Sequence, residues 1–93
     1  MPENQMGSDS RVPIERVQVN VRLEKQMVKV LKGVAEYLDL SLGDLLEGLV
    51  LHAFENQPPF SETTLTRIDQ LKVIYGMTYG REASHRLIED DRE

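Results

Sequence analysis

The sequence predicts a mostly α fold completed by two copies of the chain. Each copy contributes one strand to an intermolecular two-stranded antiparallel β-ribbon, then two amphipathic helices and a C-terminal helical extension. Three observations predict this. Residues 16–23 alternate apolar and polar side chains, the spacing then becomes helical, and no second alternating segment exists to pair with the first. A chain of 93 residues buries only a modest share of its surface alone, so help from a second copy is expected.

Residues 1–11 mix Pro, Asn, Gln, Gly, Ser and Asp without apolar periodicity and are expected to form a disordered arm. In residues 16–23, Val17, Val19, Val21 and Leu23 would share one face of a strand, and Arg16, Gln18, Asn20 and Arg22 the other. A helix is expected over 24–39, where Met27, Val28, Leu31, Val34, Ala35 and Leu38 form one stripe and Lys25, Lys29, Lys32 and Glu36 lie opposite. Gly33 is an interior cost of roughly 1 kcal/mol relative to Ala. The start of this helix is weakly signalled, since neither Leu23 nor Glu24 is a preferred N-cap.

Ser41 opens the second helix with a capping signature, its hydroxyl placed to accept the Asp44 amide. Leu42, Leu45, Leu46, Leu49, Val50, Ala53 and Phe54 follow at helical spacing, and Pro58 and Pro59 end the segment. Residues 60–76 read as a third helix capped by Ser61, with Leu65, Ile68, Leu71 and Ile74 or Tyr75 on one face and Gly76 as its stop. A last short helix is expected within 81–89 around Ala83, Leu87 and Ile88, before an acidic end. The chain thus divides into the arm 1–11, a dimerisation and binding domain over 12–57, and the extension 58–93.

A lone strand leaves its backbone N–H and C=O groups unpaired, and even two strands are marginal without a packed face. The simplest partner is the same strand of a second copy across a two-fold axis. The expected dimer core is then Val17, Val19, Val21, Leu31, Val34, Leu46, Leu49 and Val50. Pairing with Thr78 and Tyr79 of the same chain is the competing possibility.

The net charge of -5 argues against a nucleic-acid partner if the chain is taken as uniform. It is not uniform. Residues 11–32 carry a local balance of +4, whereas residues 33–93 carry -7. Such asymmetry points to a basic binding end, with scattered solvated charge as the plainer alternative. The absence of cysteine excludes disulfides and favours a reducing compartment. No apolar h-region opens the sequence and no apolar run approaches the roughly 20 residues that span a bilayer. A cytoplasmic location with no membrane partner is expected.

The order strand, helix, tight joint, capped helix over residues 17–54 resembles the ribbon-helix-helix regulators, the Arc and methionine-repressor-like family. Gln18, Asn20 and Arg22 reproduce the Q-x-N-x-R reading set of the Arc repressor, a β-ribbon DNA reader. The resemblance implies a homodimer that binds double-stranded DNA. Gln18, Asn20 and Arg22 would contact base edges, the amides suiting adenine and the guanidinium guanine. Ser41, Leu42 and Gly43 would hold a backbone phosphate at the helix start. Asp44 and Asp39 depart from that pattern because each would repel a phosphate, which leaves Arg16 and Lys25 as further backbone contacts.

His52 and His85 have neither cysteines nor a tight carboxylate spacing beside them, so no metal site and no cofactor are expected. No phosphate loop, nucleophile elbow or zinc-protease pattern occurs, and an enzyme is not expected. The function expected is a sequence-specific transcriptional regulator, repressor-like, that inserts the ribbon into the major groove. The alternative is a protein-binding dimeric module, such as a toxin-neutralising antitoxin that grips its partner through the region after Phe60.

Overall fold

The computed structural model describes residues 11–90, so most of the expected arm and the last three residues of the acidic end lie outside it. Three helices form: α1 over Lys25–Leu38, α2 over Leu42–Phe54 and α3 over Glu62–Tyr75, followed by a 3₁₀ turn over Arg81–Ala83. The α1 start has a cap that residue preference did not reveal. The Glu24 carboxylate accepts the Gln26 and Met27 amides at 2.8 and 2.9 Å, filling the role usually given to Ser, Thr, Asp or Asn. At the other end Asp39 turns left-handed (φ 60°), and the Leu40 amide closes back to the Ala35 carbonyl at 2.8 Å. That closure ends α1 in a single residue and sets up the short joint to α2.

Ser41 caps α2 by accepting the Asp44 amide at 3.1 Å, and Ser61 caps α3 by accepting the Thr64 amide at 3.2 Å. Gly76 stops α3 at φ 69°, a conformation glycine enters without a Cβ penalty. The same closure recurs there, from the Met77 amide to the Lys72 carbonyl at 2.9 Å.

The core lies where α1, α2 and α3 meet. Val30, Val34 and Ala35 of α1 and Leu45 of α2 are buried, with Leu31, Leu38, Leu49, Phe60, Ile68, Leu71, Tyr75 and Met77 packed around them. Helix α1 packs more extensively on α3 than on α2. Gly33 explains part of that closeness, since a Cβ there would stand 3.0 Å from Leu71 Cδ2. Two rings face cations across the same seam, Tyr37 under Arg67 at 4.9 Å and Tyr75 under Lys29 at 5.9 Å.

The expected fold class is corrected by this architecture: among the described residues the fold is three-helix and all-α, with no strand, and hence no two-stranded β-ribbon. Residues 11–23 have no regular secondary structure and are exposed at every position. Alternation says which side chains would share a face of a strand, but a strand exists only where another backbone takes its hydrogen bonds. Thr78 and Tyr79 supply no such partner either, being equally irregular. The last expected helix is corrected as well. Arg81–Ala83 form a 3₁₀ helix and 84–86 a turn after it, because Leu87 and Ile88 have no buried face to hold a longer helix.

The expected core members divide sharply. Val34 is buried and Leu31 and Leu49 are partly so, but Leu46 and Val50 are exposed on α2, and Val17, Val19 and Val21 are 71–80% exposed. The radius of gyration, 16.8 Å, exceeds the roughly 12 Å of a compact domain of this length.

Candidate nucleic-acid interface

The irregular segment before α1 is attached at two points by arginines. Arg16 clasps Glu47 of α2 through both Nε and Nη2, each 2.9 Å from a carboxylate oxygen. Six residues on, the Arg22 guanidinium donates to the Glu89 carboxylate. Both pairs are solvent-exposed, which makes them weak as sources of stability. Their effect is positional, tying one end of the segment to α2 and the other to the chain's C-terminal stretch.

The electrostatics follow from those pairs. The hydrogen bond from Arg16 holds the Glu47 carboxyl below its ordinary range, and Glu47, followed by the field of Asp44, raises the Arg16 guanidinium further. Arg22 is raised by its hydrogen bond to Glu89. Glu24 is lowered first by the Tyr79 hydroxyl and then by the amides it caps, while burial and the same hydrogen bond push Tyr79 up to about 12.

Of the residues expected to read bases, Gln18, Asn20 and Arg22 are all exposed on the irregular segment. Of those expected at the phosphate backbone, Lys25 is exposed as the first residue of α1, and Arg16 lies within reach of the field of Asp44 in the first turn of α2. The structure therefore places Arg16 on α2 at Glu47, in the helix whose start holds Ser41, Leu42 and Gly43. Ser41 commits its hydroxyl to the Asp44 amide, Leu42 is half-buried, and Gly43 is exposed. Arg22 and Lys25 line a different place, a groove of about 530 Å³ shared with Met27, Leu87, Glu89 and Asp90.

The pairing roles of Glu47, Glu89, Glu24 and Tyr79 have no signal in the sequence pattern. The paired residues lie 31, 67 and 55 positions apart, a separation that no periodicity encodes. His52 directs Nδ1 to the Gly48 carbonyl of its own helix at 2.8 Å. Among the described residues no group of three or more His, Asp or Glu side chains is arranged to hold a metal ion. No described helix is long and apolar enough to cross a membrane. Comparison of the chain with protein-family models, curated proteins and solved structures finds no match.

Proposed function

We propose that this chain is a sequence-specific DNA-binding regulator that works in the cytoplasm as a homodimer and meets DNA with the segment preceding α1. One observation carries the reading. Residues 11–23 are exposed throughout and present Arg16, Gln18, Asn20 and Arg22 in a stretch of net positive charge, on a chain that is otherwise acidic. Arginine and amide side chains are the ones whose donor and acceptor patterns match base edges, and their order resembles the Arc reading set. The acidic remainder confines attraction to that end, since phosphate repels the rest of the surface.

The homodimer has separate support in α2. Its apolar stripe is wider than the protomer covers, for only Leu45 is buried within the protomer. Leu46, Val50, Leu51 and Phe54 are exposed, Phe54 by 81%. A second copy covering this face removes that apolar area from water at about 25 cal/mol per Å².

Selection of duplexes from a random pool at low salt tests the reading. An enriched motif that disappears in Arg22→Ala supports it. A protein-binding module is favoured instead by one feature of α3, the adjacent exposed Val73 and Ile74. A pool that yields no motif while the dimer persists would select that second reading.

A further inference from the structure

The C-terminal stretch returns to the start of α1 and is held there by two contacts, with Leu87 lining the groove between them. The Tyr79 hydroxyl donates to Glu24, Leu87 lines the same groove as Met27, and Glu89 accepts from Arg22. The first contact is partly buried and shared with the helix cap, so it anchors the strap. Beyond that anchor come the mixed charges of Arg81, Glu82 and Arg86, and then Glu89 and Asp90, which line the groove beside Arg22 and Lys25. A carboxylate on Arg22 stands where a phosphate or base oxygen would stand, because both present oxygen acceptors to the same guanidinium fork.

We propose that this acidic strap is a tethered competitor for polyanions at the basic end of the chain. It occupies Arg22 and crowds Lys25 until a nucleic acid displaces it. The inference rests on the DNA-binding reading and adds a regulatory element to it. Tethering keeps the carboxylates at a high effective concentration near Arg22. The exposure of both partners keeps the contact weak, so the strap tunes binding instead of blocking it. A long duplex, with many contacts, displaces the strap more readily than an isolated phosphate does.

The test measures affinity of the full chain for a mixed-sequence duplex at low salt, comparing the wild type with a Glu89→Gln, Asp90→Asn double variant. A Glu55→Gln, Asp69→Asn control removes the same number of carboxylates outside the groove at Arg22. The double variant is expected to bind about 2- to 5-fold tighter, the gain available from an exposed pair, and the gain should shrink as salt rises. The control should gain less. In Glu89→Gln without DNA, the Arg22 Nη–H resonances should move, because Nη2 is the donor to Glu89. Equal gains in control and double variant reduce the effect to net charge and overturn the proposal. Wild-type binding that the double variant leaves unchanged overturns the strap and leaves the DNA reading standing. If no variant binds duplex at all, the DNA reading itself fails, and the competitor role with it.

Discussion

The Tyr79 hydroxyl donates to Glu24, the carboxylate that also caps α1, so one side chain joins the stretch after α3 to the start of the first helix. Losing the cap should cost about 1 kcal/mol, the usual value for an N-cap. Glu24→Ala is therefore expected to lower the urea midpoint, with Tyr79→Phe giving a smaller drop because the amide contacts survive. Folded Glu24 binds a proton less readily than unfolded Glu24, so its contribution is complete above the ordinary carboxylate range and fades as pH falls through the depressed folded value. Tyr79 acts at the opposite limit: its contribution is complete below 10.0 and is lost as pH rises through about 12. Stability measured against pH should lose its Glu24-dependent acid limb in Glu24→Gln.

Leu45 is the α2 side chain committed to the protomer core, with 3% of its surface exposed. Leu45→Ala should cost about 2 to 5 kcal/mol, as truncations of buried leucines do. Chemical denaturation reads this directly. An effect below about 1 kcal/mol would mean that α2 is loosely attached to α1.

Gly33→Ala opposes two effects of similar size. Alanine gains about 1 kcal/mol of helix propensity, but its Cβ would meet Leu71 at 3.0 Å. Overpacking costs about 1 to 3 kcal/mol where the neighbour is held, and Leu71 is packed against the core. Net destabilisation of about 1 kcal/mol is expected. Pairing the change with Leu71→Val, which shortens the opposing side chain, should recover part of it.

If α2 is covered by a second copy, light scattering at micromolar concentration should give twice the chain mass of 10.7 kDa. Phe54→Asp places a charge on the exposed apolar face and should dissociate the pair while the far-ultraviolet signal of the three helices survives. A wild-type mass of one chain would sink the homodimer.

On DNA, Arg22→Ala should weaken the preferred site about 10-fold and relax preference at one base pair, the signature of removing a bidentate hydrogen-bonding pair. Lys25→Ala should weaken all sequences alike and flatten the salt dependence by roughly 0.9 for each phosphate that is no longer neutralised. Asp44→Asn should tighten binding if a phosphate approaches the first turn of α2, and leave affinity unchanged otherwise.

The sequence by itself determined α1, α2 and α3, because their signals are local, but not the short helix expected after them. Leu42, Leu45 and Leu49 recur at helical spacing, Ser41 and Ser61 supply hydroxyls one residue before α2 and α3, and Gly76 permits the left-handed stop. The Glu24 cap escapes that logic because its geometry is stabilised from outside the helix by Tyr79, and Gly33 is a plain cost only until Leu71 stands against it. The alternation in residues 16–23 is just as legible, but it specifies a face, and a strand needs a partner backbone that the chain lacks among its described residues. Tertiary structure alone decided where those side chains go: Arg16 to Glu47, Arg22 to Glu89, and the valines to solvent. Pairings of this kind depend on how three helices stack, which no spacing along the sequence records.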